Sequence, residues 1–269
     1  MNRRHFMHLS TSACIALAWP IVPGRSLASP PDLNEAINIA GRQRMLSQRM
    51  LKAWLAWGQE IEPSKAERAL AQSVSMFDKQ LSELANTAFD SSITATLSQL
   101  DGHWKDLKTA LTQQPPDRGR AAALLSLEDN VLQSAQQATT QIERLAGKPL
   151  GKVINLAGRQ RMLSQRAAKF YLASAWGVDG GMAQAEISKA RGEFSAALQT
   201  LRSASESTVA IRAELDIASQ QWVILDNALT HRTNDVQSAR HAAEVFVASE
   251  NILSQMERIT GLYAKSKAA

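Results

Sequence analysis

Residues 37–49 read INIAGRQRMLSQR, and residues 154–166 read INLAGRQRMLSQR: twelve of thirteen positions are identical at an offset of 117. The one difference, Ile39 against Leu156, keeps the apolar character. A segment written twice in one chain constrains the fold more than any composition does, because a unit that is copied must fold twice in the same way. The likeness continues more weakly beyond the segment. Phe77, Leu81 and Leu84 align with Phe194, Leu198 and Leu201 at the same offset, and Trp104 and Ala110-Leu111-Thr112 align with Trp222 and Ala228-Leu229-Thr230 one residue further on. Asn130-Val131-Leu132 then resembles Asn251-Ile252-Leu253. The chain therefore reads as two copies of one fold, with one segment held far more tightly than the rest.

Within each copy apolar residues recur at three and four, the period of amphipathic helices. Aromatics make up only 5% of the chain and Gly and Pro are few, which favours helix over strand. The pattern predicts helices near 33–57, 64–86, 91–113 and 118–146 in the first copy and near 152–176, 182–203, 206–231 and 234–265 in the second. Breaks are signalled by Pro63, Asp90-Ser91-Ser92, Pro115-Pro116-Asp117, Gly177 to Gly181, Ser205 and Arg232-Thr233. Gly147-Lys148-Pro149-Leu150-Gly151 is the junction between copies. Short connections make neighbouring helices antiparallel, so the expected fold is all-α: two tandem antiparallel four-helix bundles, 29–147 and 148–269, related by approximate two-fold symmetry.

Residues 1–28 read as an export signal. Arg3-Arg4 with Phe6 precede a modest apolar stretch from Ala13 to Val22, and Ser26-Leu27-Ala28 fits small-residue cleavage. The arginine pair suits the twin-arginine route, with general secretion as the alternative, and the expected location is the periplasm. Removing this segment takes away three arginines and no acid, so the formal charge falls from +5 to +2. That leaves little electrostatic basis for a nucleic-acid partner. Cys14 leaves too, and with it any disulfide or thiol chemistry.

On a helical wheel Leu33, Ile37, Ala40, Gly41, Arg44, Ser47, Gln48, Leu51 and Leu55 form one stripe centred on Arg44, while Ile39, Leu46, Met50, Ala53 and Trp57 form a second, opposite one. A helix apolar on two sides packs in two directions at once. Ile154, Ala157, Gly158, Arg161, Ser164, Gln165 and Ala168 repeat the arginine stripe, whose small residues allow close approach. The expectation is that the two stripes face each other, within the chain or in a homodimer, and bring Arg44 and Arg161 together. Two facing guanidiniums repel unless something negative lies between them, and a planar oxyanion matches their forked donors. Pairing of each arginine with a neighbouring carboxylate, or escape of its head to water, is the other outcome. Arg42, Arg49, Arg159 and Arg166 point away from the stripe and suit salt-bridged surface.

The twin segments, INIAGRQRMLSQRM and INLAGRQRMLSQRA, resemble the signature of the PilJ-type sensor domain. That domain stands at the front of type IV pili methyl-accepting chemotaxis transducers and is akin to the sensor domain of nitrate/nitrite sensor kinases. The resemblance implies a four-helix bundle whose first helix carries the motif. In the nitrate sensors the ligand lies between two such helices, held by an arginine from each side and by backbone near a glycine. Carried over, the arginine falls on Arg44 and Arg161 and the glycine on Gly41 and Gly158; Ser47, Ser164, Gln48 and Gln165 complete the candidate ligand-binding set. The chain departs from those sensors where they place a lysine ahead of Ala-Gly, since Ile39 and Leu156 stand there.

Other constellations carry no chemistry. His103, His231 and His241 lack metal-ligand spacing, Gly177-Val178-Asp179-Gly180-Gly181 is a turn without the Lys-Ser/Thr of a phosphate loop, and the tryptophans at helical spacing read as core. Neither a catalytic triad nor a paired-carboxylate cleft emerges, and no cofactor or metal is expected. The expectation is a non-enzymatic periplasmic sensor that captures a small oxyanion, for which the resemblance makes nitrate or nitrite the first guess, and signals to a membrane receptor or kinase. The alternative is a helical interaction module whose twin motif is an assembly seam without ligand; an enzyme is a third.

Overall fold

The computed structural model describes residues 32–231 and 237–266. The export signal, with Arg3, Arg4 and Cys14, lies outside the described residues, as do the break at Arg232-Thr233 and the expected start of the last helix at Asn234. The described residues are helical, without a strand: α1 Leu33–Gly58, α2 Pro63–Ala85, α3 Ser91–Thr112, α4 Ala121–Ala146, α5 Pro149–Ala175, α6 Ala183–Ser203, α7 Val209–Ala228 and α8 Ser238–Lys265. The described residues belong to one compact unit.

Local chemistry sets the helix limits. Asp32 caps α1 by accepting from Asn34 N at 3.0 Å, Asp90 caps α3 from Ile93 N at 2.9 Å, and Thr208 caps α7 from Ile211 N at 3.2 Å. The last of these starts α7 three residues later than the sequence pattern suggested. Pro63 opens α2 in the first turn, where its missing N–H is not needed. At the junction Gly147, in the left-handed region at φ 62°, ends α4, and Pro149 starts α5 two residues on, earlier than the expected Lys152. The predicted helix from Arg118 begins instead as a 3-10 turn, Arg118–Arg120, that runs into α4.

Each copy is a ring of four helices, α1-α2-α3-α4 and α5-α6-α7-α8, and the two rings meet mainly along α1 and α5. Phe77 stacks on Trp104 at 4.2 Å in the first ring and Phe194 on Trp222 at 3.8 Å in the second, so both copies use the same aromatic pair. Helices α1 and α5 run side by side in the same direction. Ile37 meets Gly151 near their starts, Gly41 and Gly158 share neighbours in the middle, and Trp54 and Gly58 meet Trp176 near their ends. Almost every residue of α1 from Ala36 to Ala56 is buried, as two-sided packing requires.

Candidate functional site

Side chains on a helix lean toward its N-terminus. Because α1 and α5 are parallel, Arg44 and Arg161 each reach back and across the seam to the asparagine that follows the first Ile of the other copy's motif. Arg44 donates from Nη2 to Asn155 Oδ1 at 2.7 Å, and Arg161 donates from Nη1 to Asn38 Oδ1 at 3.0 Å and from Nη2 to the Asn38 carbonyl at 3.1 Å. Both arginines are fully buried.

The two guanidiniums come together over the two glycines. A Cβ built on Gly41 would lie 3.1 Å from Arg44 Nη2 and 3.5 Å from Arg161 Nη2; one built on Gly158 would lie 3.1 Å and 3.7 Å from the same two atoms in reverse order. Both charges therefore sit within reach of one missing methyl group. A mid-helix glycine costs about 1 kcal/mol relative to alanine, and close approach of these heads is what the two glycines allow.

The arginines differ in how their charge is met. Arg161 donates from Nη1 to Glu257 Oε2 at 2.8 Å. Arg44 instead donates from Nη1 to the neutral amide of Gln136, at 2.6 Å, and has no carboxylate in ion-pair range among the described residues. Its nearest acid is one step removed: Asn155, which accepts from Arg44, donates in turn to Glu143. Burial and then the repulsion of Arg161 and Arg159 push the Arg44 guanidinium down to about 9, with Glu143 opposing. Burial also lowers Arg161, against the pull of Glu257. The Nε of each arginine is buried without a hydrogen-bond partner.

The other four candidate residues take different partners. Ser47 and Ser164 each donate to a carbonyl of their own helix, that of Arg44 and of Arg161. Glu128, 2.8 Å from Ser47 Oγ, is the other acceptor open to that serine's single proton; Gln48 donates to Glu128, and Gln165 donates to the Ser249 carbonyl. These four belong to a second buried polar layer, one turn further along, that sequence reasoning did not find. Its charges are Lys169 on Glu128 at 2.5 Å, both out of water, and Lys52 on Glu250 at 2.6 Å. Arg42, Arg49, Arg159 and Arg166 form the expected salt bridges, to Glu257, Glu250, Glu193 and Glu186.

Asn38 and Asn155 were legible in the duplicated segment itself. Gln136 and Glu257 were legible only by carrying the weak Asn130/Asn251 alignment six residues further, where the two fall on the same position. His231 and His241 stack at 4.1 Å, yet no group of residues suited to a metal ion occurs among the described residues. No described helix is long and apolar enough to cross a membrane.

The family model described as the type IV pili methyl-accepting chemotaxis transducer N-terminal domain, PilJ, matches residues 28–144 and again 147–246. The chain belongs to the PilJ family. One PilJ match falls on each helical ring, the second ending at residue 246 within α8, and the PilJ domain is a non-catalytic signalling domain of chemotaxis transducers. No curated protein and no solved structure matches the chain.

Proposed function

We propose that this tandem PilJ protein is an exported sensor that captures a small oxyanion, nitrate or nitrite first, between Arg44 and Arg161 and passes the event to a membrane receptor or kinase. The observation that carries the reading is the meeting of two fully buried guanidiniums over Gly41 and Gly158, one of them without a carboxylate in ion-pair range among the described residues. A buried cation held only by neutral oxygens is an unfavourable resting state that a guest anion relieves. Gln136 Oε1 and Asn155 Oδ1 hold the places on Arg44 that anion oxygens would take. The reciprocal Asn38 and Asn155 contacts fit an approximate two-fold relation between the copies, with the paired helices inside one chain.

Thermal denaturation against nitrate, nitrite and chloride at equal ionic strength tests this. A ligand at one hundred times its Kd adds about 2.7 kcal/mol, which for a chain of this size raises Tm by roughly 5–10 °C. The rise should vanish in Arg44→Ala and Arg161→Ala and weaken in Gly41→Ala, where the new methyl displaces the guanidinium. Equal melting in every anion would rule capture out. It would favour the second reading, an assembly seam, for which the Arg161–Glu257 and Lys169–Glu128 pairs speak.

A further inference from the structure

Resting on that reading, we propose that the two arginines are not equivalent: Glu257 is a built-in anion that fills the Arg161 half of the site. Gln136 is then the displaceable gate through which one small monovalent oxyanion reaches Arg44. Gln136 and Glu257 stand at the same position of the last helix in the two copies, six residues after Asn130 and Asn251. Each donates nothing to its arginine and accepts from the same atom, Nη1, at 2.6 Å and 2.8 Å. Duplication thus supplies an internal comparison, one position occupied once by a neutral amide and once by a carboxylate of the same length.

The carboxylate is hard to displace. Glu257 is held by Arg42, through Nε at 3.0 Å and Nη2 at 2.9 Å, as well as by Arg161. Gln136 is half-buried, and among the described residues its side chain engages, apart from Arg44, only Thr140, donating from Nε2 to Oγ1 at 2.9 Å. The counterpart of Arg42 in the second copy, Arg159, turns instead to Glu193 at 2.6 Å and leaves Gln136 alone. An entering anion therefore exchanges one neutral hydrogen bond at Gln136, but would have to break a doubly held ion pair at Glu257.

The grooves outside agree. Gln136 opens onto a groove of about 200 Å³ between α4, α5 and α6, lined also by Arg159, Arg166, Lys189 and Glu193, where Glu193 holds Arg159 and Glu186, beside the groove, holds Arg166. Glu257 opens onto a larger groove, about 910 Å³, between α1, α2 and α8, where Arg42, Arg49 and Lys79 meet both Glu250 and Glu257. Size favours the second groove. The closing residue favours the first, because Gln136 is a neutral amide whereas the second groove is closed by Glu257, a carboxylate that repels an anion.

Isothermal calorimetry with sodium nitrate on the full chain tests the gate. Gln136→Glu supplies Arg44 with its own carboxylate, so the variant should fold at least as stably as the wild type and bind nitrate at least tenfold more weakly. Gln133→Glu, which adds the same charge to the same groove without touching Arg44, should stay within twofold of the wild type. Exchanging both residues, Gln136→Glu with Glu257→Gln, should restore nitrate binding by opening the Arg161 side. Gln136→Glu binding as the wild type does, or Gln133→Glu losing as much as Gln136→Glu, overturns the gate while capture stands. If wild-type protein gives no heat and no melting shift with nitrate, the capture reading fails and the gate with it.

Discussion

Burial alone would raise the Glu257 carboxyl, but the charge of Arg161 and the hydrogen bonds and charge of Arg42 outweigh it and hold the group down at about 2, against an ordinary 4.5. A depressed carboxyl contributes stability above its unfolded value and loses it as pH falls through the folded one. For Glu257 that window runs from pH 4.5 down to about 2, and a gap of this size corresponds to about 3 kcal/mol. Glu250, held by Lys52 and Arg49, is also lowered to about 2 and titrates in the same window. Thermal melts of the wild type should therefore fall steeply between pH 4.5 and 2. Glu257→Gln should melt lower at pH 7, because Arg161 is left buried without its partner, yet lose less on acidification, with a slope cut by about half. An unchanged slope would mean that Glu257 is not held by Arg161 in solution. Arg44 has no such acid limb, since what meets it is an amide.

At the scale of elements, α4 and α5 are tied by Glu128 and Lys169, a pair wholly out of water. Removing one member of such a pair leaves a bare buried charge and costs about 3–5 kcal/mol, whereas replacing both by apolar residues of similar volume is near neutral or stabilising. Lys169→Met and Glu128→Leu should each lower the urea midpoint strongly, while the double variant recovers most of the loss, falling short of the wild type by about 1–3 kcal/mol because buried Gln48 loses its acceptor. Additive losses would show that the two groups do not interact. The helices themselves were legible from the period of apolar residues and from Asp90, Pro63 and Gly147, because those signals are local. Arg44, Arg161 and the two glycines were legible because the duplicated segment put them on a stripe too apolar for solvent. Ser47, Gln48, Ser164 and Gln165 lie on the same stripe, but a wheel has no axial coordinate: one turn along α1 separates the arginine layer from the layer of Glu128. Glu128 stayed hidden, and Glu257 was marked only by the weak alignment of the last helices, because they come from α4 and α8, and only three-dimensional packing decides which turn of those helices meets which turn of α1 and α5.

For the whole molecule the duplication makes each half a stand-in for the other. The 29–147 half carries α1 without α5, and leaves bare the face on which Ile37, Gly41 and Trp54 meet the second copy. Since α5 repeats α1 at twelve of thirteen motif positions, two first halves can pair along α1 as α1 pairs with α5. Such a dimer would set Arg44 against Arg44, with Gln136 and Asn38 on both sides and no Glu257 on either. Its seam would hold two unmatched buried cations. The 148–266 half, paired along α5, would bring its own Glu257 to each Arg161 and be neutral at the seam. Sedimentation velocity should accordingly find the first half dimerising more tightly in nitrate than in an inert salt of equal strength, and the second half dimerising alike in both. The contrast follows from the position at which Arg44 meets the amide of Gln136 and Arg161 meets the carboxylate of Glu257. If both halves dimerise without regard to the anion, or the first half is a folded monomer in either salt, the charge balance of the α1–α5 seam does not govern how the copies assemble.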